Sequence, residues 1–297
     1  AALAPQLAPA AAQMGLGQQE LAELYDECLA PAAALAEASP ARQVEVLPEP
    51  ARGAPPPFSV IVAGDTGTGK STLLNSLLGF ELLPTSCCRA CTAAVIELEW
   101  ASEPGARGVW SAGVQLVGRD EWEETVEAAC EAAARAGAGK APPETDEGFV
   151  AYSKCVSVYG RGCFGASVEP SVVAERLMSH AAVAERLGRA LELRAESAAE
   201  LSEVSRPYMD SADDADDGAL WPLVRRVRLR GPFAVCAPSA QCAGGIRLLD
   251  APGLHDDNAA RDGVLRGVVA EAQSVLVVSN IRRACNDKGA KDMMPLL

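Results

Sequence analysis

The chain has 297 residues, 49% of them hydrophobic, which is enough for the core of one large domain or two small ones. Its formal net charge of −14 repels phosphate backbones and anionic headgroups, so direct nucleic-acid binding is disfavoured as a bulk effect. There is no apolar run of about 18 residues or more, hence no transmembrane signal, and residues 1–17 lack the basic start of a signal peptide. Ten cysteines in such a chain are expected to be reduced thiols, which places it in an intracellular compartment. The densest group, Cys87, Cys88 and Cys91, has no fourth ligand at zinc-finger spacing, so zinc is not expected there. The start at an Ala and the abrupt end at Leu297 read as a piece of a longer protein.

In chain order, residues 1–17 are rich in Ala, Pro and Gln and are expected to be disordered. Leu21, Leu24, Tyr25, Cys28 and Leu29 recur at helical spacing and predict a helix over residues 18–37, and the prolines of residues 47–57 mark a linker. Phe58 to Ala63 is a short apolar, partly β-branched run ending at Gly64, the pattern of a buried strand. Leu73, Leu74, Leu77 and Leu78 predict a helix over residues 72–80, closed by Gly79. Strands are predicted at 93–100 and 109–117, and helices over 119–136 and 171–204, with a Gly/Pro loop at 137–148 and a Tyr/Val/Cys stretch at 150–159 between them. Asp210, Asp213, Asp214, Asp216 and Asp217 read as a solvated loop. Strand patterns return at 223–230, 246–250 and 274–281, with a helix over 258–272. The alternation of Arg225, Arg226, Arg228 and Arg230 with Val224, Val227 and Leu229 reads as a solvated strand face. The order of elements predicts an α/β fold with a mixed sheet, residues 58–297, interrupted by a largely helical insertion at about 118–220 and preceded by a non-domain segment, residues 1–57.

The strongest chemical signal is Gly64-Asp65-Thr66-Gly67-Thr68-Gly69-Lys70-Ser71, a full match to G-x-x-x-x-G-K-[ST] between a predicted strand and a predicted helix, with Thr72 following in the first turn. Glycines let the main chain wrap an anion so that N–H groups point at phosphates, Lys70 adds a cation near the β- and γ-phosphates, and Ser71 offers a hydroxyl to Mg²⁺. The pair Gly139-Lys140 lacks the first glycine and the Ser/Thr and is discarded. A second signal, Asp250-Ala251-Pro252-Gly253, ends the apolar run Ile246, Leu248, Leu249: Asp250 is a candidate for the magnesium shell, and the Gly253 N–H for the γ-phosphate. A third is Thr92, between the P-loop helix and the next strand, whose hydroxyl is a candidate to complete the Mg²⁺ shell only when a γ-phosphate is bound.

These motifs resemble dynamin-like GTPases. The resemblance is carried by Lys70-Ser71-Thr72-Leu73-Leu74-Asn75-Ser76-Leu77-Leu78-Gly79, by Leu83-Pro84-Thr85-Ser86 with Ala90-Cys91-Thr92-Ala93, by Leu220-Trp221-Pro222-Leu223-Val224 with Gly231-Pro232-Phe233, and by the run from Asp250 to Arg261. The last three are similar to a nuclear branch of that family, over roughly residues 58–295. The resemblance implies a dynamin-type G domain, incomplete at its C-terminus, that binds and hydrolyses GTP with Mg²⁺ and is often stimulated by pairing of two G domains. It carries over Lys70 and Thr92 as catalytic groups, Ser71, Thr92 and Asp250 as the metal set, and Gly253 as the switch II glycine. It also implies the nucleus, with the cytoplasm as the other compartment.

Two departures stand beside it. Dynamins carry a Gln-Ser pair in the P-loop where this chain has Thr66 and Gly67, and the guanine-reading T/N-K-x-D motif does not occur after Gly253. An ATPase, or a nucleotide-binding pseudo-GTPase without turnover, therefore stays open at this point. His255, just after the second signal, reads as a loop histidine rather than a general base.

Overall fold

The computed structural model describes residues 55–64, 67–85, 94–101, 110–137, 139–160, 162–164, 169–210, 219–250 and 272–279. The predicted helix at 18–37, the helix at 258–272, the group Cys87, Cys88 and Cys91, and Asp213 to Asp217 of the acidic loop lie outside the described residues.

Strand β1, Phe58–Ala63, leads to helix α1, Lys70–Leu78. Then come β2, Val95–Trp100, and β3, Trp110–Leu116. Helices α2, Arg119–Ala136, α3, Phe149–Tyr159, α4, Pro170–Met178, and the single turn α5, Ala181–Ala184, follow. Strand β4, Ala190–Ala195, and helix α6, Ala198–Met209, complete the insertion, after which come β5, Val224–Gly231, β6, Ile246–Asp250, and β7, Ser274–Val277.

Among the described residues the strands form one seven-stranded sheet in the order β4-β3-β5-β2-β6-β1-β7. Strand β1 runs parallel to both β6 and β7, whereas β2 is antiparallel to β6 and parallel to β5. This is the expected mixed α/β sheet. The insertion is helical apart from β4, so the helical reading of residues 171–204 is corrected at 190–195. The Ala, Glu, Leu and Arg there suit a helix by propensity, but Leu191 and Leu193 alternate, and β3 offers an open edge on which β4 pairs antiparallel. Ser197 then stops the strand: its side chain accepts from the Glu200 N–H at 3.2 Å while the Glu200 carboxylate accepts from the Glu196 N–H at 2.7 Å, starting α6. The Tyr/Val/Cys stretch is helix α3, whose Cys155 and Val158 are buried and whose Tyr159 hydroxyl accepts from Trp122 Nε1 on α2 at 2.9 Å.

Alternate residues of β1 feed the two faces of the sheet. Phe58, Val60 and Val62 join the main core with Leu73, Leu74, Leu77 and Leu78 of α1, Trp122 and Val126 of α2, and Leu201 of α6. Ile61 and Ala63 face the other side with Val95 and Leu249.

That second face also carries charge, which corrects the reading of the arginine cluster. Arg225 alone of the four is exposed; Arg228 is buried, and Arg226 and Arg230 are half-buried. Their partners stand on β2, in register opposite them: Glu97 faces Arg228 and Glu99 faces Arg230. Glu97 accepts from Arg226 Nη1 at 2.7 Å and from Arg228 Nε at 2.6 Å. Glu99 accepts from Arg230 Nε at 3.2 Å and from Arg247 Nε of β6 at 2.6 Å. Burial pushes the Glu99 carboxyl up, but Arg247, Arg228 and Arg230 outweigh it and hold it below the usual carboxylate range.

Candidate functional site

The site begins where β1 ends. Gly64 follows with φ +152°, and a Cβ there would lie 2.1 Å from the carbonyl oxygen of Val278, the residue after β7. Any side chain at position 64 therefore collides with main chain, and only glycine fits there. Gly67 and Gly69 have open space around them, but both hold positive φ, +78° and +92°, so it is the backbone conformation that requires glycine at each. Gly69 is the residue from which α1 springs; no side chain caps that helix and no acidic residue occupies its first turn. The positive end of its dipole therefore faces the glycine-rich turn without a side-chain cap or an acidic neighbour in the first turn.

Two side chains of the first turn point the same way. Lys70 is buried, with Nζ donating to the Gly64 carbonyl oxygen at 2.8 Å, so the cation is folded back over the loop. Ser71 Oγ donates to Asp250 Oδ2 at 3.4 Å. Asp250 is 179 residues away in sequence but adjacent in space, because β6 runs parallel to β1 and pairs Asp250 with Val62. Asp250 is 1% exposed, and its second oxygen, Oδ1, has no hydrogen-bond partner among the described residues. Burial is the main influence on the carboxyl and raises it to about 6; Lys70 and the Ser71 hydroxyl pull in the other direction without cancelling it.

A buried carboxylate with one oxygen unused and a serine hydroxyl on its other oxygen together offer oxygen lone pairs at one point. Hard divalent cations such as Mg²⁺ take oxygen ligands of this kind, so the residues present fit the ion. The strand tip thus brings together Gly64, Gly67, Thr68, Gly69, Lys70, Ser71 and Asp250. Thr72, also in the first turn, lines a cleft of about 510 Å³ between α1 and α6. Asp65, Thr66, Thr92, Gly253 and His255 lie outside the described residues.

One residue of the site region carried no functional reading in the sequence. Asn75, buried in the middle of α1, holds the turn that leaves the helix. Its signal was a poor helix former within the apolar run Leu73, Leu74, Leu77, Leu78.

A glycine-rich turn thus joins a core strand to a helix N-terminus beside a buried carboxylate on the neighbouring strand of an α/β sheet. The dynamin family profile matches residues 60–295. The chain belongs to the dynamin family, and its fold is a dynamin-type G domain with a largely helical insertion. It is similar to the nuclear GTPase SLIP-GC of Mus musculus, 26% identical over 249 residues that cover 80% of this chain and 30% of that protein. Two solved chains of an oligomerised bacterial dynamin pair, described as sensing and tethering membranes at long range, align over 80% of this chain with TM-scores of 0.43 and 0.41 and 16% and 15% identity. The chain spans 30% of the length of the murine relative, and 25% and 24% of the bacterial chains. Among the described residues no helix is long and apolar enough to cross a membrane.

Proposed function

We propose that this chain binds GTP with Mg²⁺ and hydrolyses it, as the nucleotide-handling part of a large dynamin-family GTPase. The observation that carries this reading is the unpartnered Oδ1 of buried Asp250 beside Ser71, at the foot of an uncapped P-loop helix. The uncapped first turn and the loop amides bind the triphosphate. Lys70 exchanges its bond to the Gly64 carbonyl for phosphate oxygens, a charge-assisted contact that strengthens as charge builds on the transferring phosphoryl group. Ser71 and Thr92 would be direct ligands of Mg²⁺ and Asp250 part of its shell, and the bound ion would supply neutralisation of β- and γ-phosphate charge. Gly253 would bring a main-chain N–H to the γ-phosphate. Glycine at 64 keeps the loop root clear, and Thr68 and Gly69 complete the cradle. Pairing of two copies through their G domains, and a nuclear site of action like that of the murine relative, belong to the same reading.

Lys70→Ala should weaken triphosphate binding by about ten- to a hundredfold, the loss of one or more charge-assisted hydrogen bonds. A titration with fluorescent GTP checks this, with competition by ATP reporting the base preference. Ser71→Ala should remove most of the difference between titrations with Mg²⁺ and with EDTA; a full parental Mg²⁺ effect in that variant rejects the metal assignment. A second reading, nucleotide binding without turnover, is favoured by Thr66 and Gly67 in place of the Gln-Ser pair of dynamins. Phosphate release separates the two readings: bound GTP without released phosphate supports the second.

A further inference from the structure

Asn75 lies one turn beyond Ser71 on α1, with its side chain spent on the chain that leaves the helix. Its Oδ1 accepts from the Leu82 N–H at 3.1 Å and from the Leu83 N–H at 2.9 Å, and its Nδ2 donates to the Leu83 carbonyl oxygen at 2.9 Å. Its main-chain carbonyl accepts from the Gly79 and Phe80 N–H groups at 3.0 and 3.3 Å, with Gly79 reversing the chain at φ +77°. One residue thus holds four others by five hydrogen bonds, all within the stretch where α1 gives way to the connection toward β2. Leu82 and Leu83 are buried and pack in the main core, and the three side-chain bonds of the clamp are buried as well.

We propose that Asn75 is a positioning residue for triphosphate hydrolysis, locking the start of the α1–β2 connection to the helix whose first turn carries Lys70 and Ser71. The proposal rests on the GTPase reading above. Asparagine is a poor choice for a helix interior on propensity alone. What asparagine adds is two acceptances and one donation that match the main chain of residues 82 and 83, a pairing no apolar side chain reproduces. The connection continues through Pro84 and Thr85 toward Thr92 in the sequence. Its origin is therefore set relative to the phosphate-binding turn by a side chain of the same rigid helix. A shift of that origin by about 1 Å is enough to spoil alignment at a reaction centre.

The test uses the full chain with Asn75→Ala and Asn75→Asp, the latter keeping both acceptances but setting a carboxylate oxygen against the Leu83 carbonyl in place of the donation. In nucleotide-free protein, amide exchange at residues 82 and 83 should be about tenfold faster than parental in Asn75→Ala, and faster than parental in Asn75→Asp as well. GTP turnover should fall about ten- to a hundredfold in both variants, while GDP affinity, which needs only the phosphate cradle, stays within about threefold. A merely structural role predicts something else: turnover and GDP affinity falling together in step with thermal stability. That result overturns the proposal, as does parental turnover in Asn75→Ala. Should Asn75→Ala not fold, Asn75→Asp decides, and parental turnover in it overturns the proposal. If the parental chain binds GTP but releases no phosphate, the turnover half of the proposal falls with the GTPase reading, whereas unchanged exchange at residues 82 and 83 removes the clamp whatever the parental activity.

Discussion

Glu97 and Asp250 are carboxylates buried by the same sheet on neighbouring strands, and their surroundings differ in kind. Glu97 stands in the middle of β2 with Arg226 and Arg228 each donating to a separate oxygen. Asp250 stands at the tip of β6 with a single long hydrogen bond from Ser71 and one oxygen unpaired among the described residues. Burial costs both groups their hydration. Around Glu97 the fold itself returns that loss through two guanidinium groups; around Asp250 it does not, and the carboxyl is pushed up to about 6. The fully matched charge belongs to the architecture, and the unmatched one stands where the proposed function places a cation. Buried carboxylates of this sheet are therefore sorted by how completely they are satisfied rather than by depth.

The comparison breaks most readily at Glu97. Glu97→Ala removes the shared acceptor and leaves Arg228 without its closest partner inside the sheet. Breaking one side of a buried ion pair costs about 3–5 kcal/mol, which lowers Tm by roughly 6–20 °C for a domain of this size. Because Glu97 is bonded to Arg226 and Arg228 of β5 rather than to the residues of the proposed phosphate site, the fraction that remains folded should bind nucleotide with parental affinity. Thermal melts with and without GTP and Mg²⁺ check both halves. A drop below about 1 kcal/mol shows that the ladder is solvated and that the distinction from Asp250 is false.

At Asp250 the expected sign is reversed. Burial raises the native carboxyl from an ordinary value of 3.8 to about 6, so the folded state holds its proton more tightly than the unfolded state. Burial of this group therefore costs nothing below about pH 3.8, and the cost grows as pH rises through 6, reaching about 3 kcal/mol at neutral pH. Asp250→Asn keeps an acceptor for Ser71 and removes the charge. Nucleotide-free protein carrying it should be more stable than the parent at pH 7.5, by up to about 3 kcal/mol, with the difference vanishing near pH 4. The same variant should lose the Mg²⁺-dependent part of GTP affinity. Urea unfolding at the two pH values reads the first effect, and equal stability of variant and parent at pH 7.5 would show that Asp250 is satisfied after all.

Much of this organisation was legible in the amino-acid order, and what was not shares one cause. Residues 58–63, 119–136 and 246–250 were bounded correctly because each carries its whole pattern locally: an apolar β-branched run, a helical repeat, a strand ending in Asp250. The glycine-rich turn from β1 into α1 was legible for the same reason, since Gly64 to Ser71 is contiguous. Strand β4 was missed because residues 190–195 favour a helix by composition, and only the open edge of β3 makes them a strand. The clamp at Asn75 was missed because its partners are main-chain groups, which look alike at every position. The ion-pair ladder was missed because Glu97 and Glu99 lie some 130 residues before their arginine partners, and the alternation of Arg226, Arg228 and Arg230 alone cannot distinguish water from carboxylate on the facing side.

Arg225 offers the smallest effect and the finest test of that last point. It belongs to the same run of arginines, one residue before Arg226, yet it is exposed and makes no ion pair among the described residues. The reason is a register shift. Gln115 of β3 faces Arg226, but Leu116 faces Val224, so Arg225 falls in the irregularity between them and is skipped by the pairing. Alternation alone would set Arg225 on the face of Val227 and Leu229, opposite Arg226, Arg228 and Arg230; the irregularity places Val224 in that core face instead and leaves Arg225 exposed. Arg225→Ala should change stability by less than about 0.5 kcal/mol, the range of surface substitutions away from special features. Arg228→Ala, three residues on, leaves Glu97 with one partner in place of two and should cost about 3 kcal/mol or more. Chemical denaturation of the pair at one pH measures the contrast. Equal losses would mean that the arginines act as a single charged patch, and that position within the sheet does not decide which of them the fold uses.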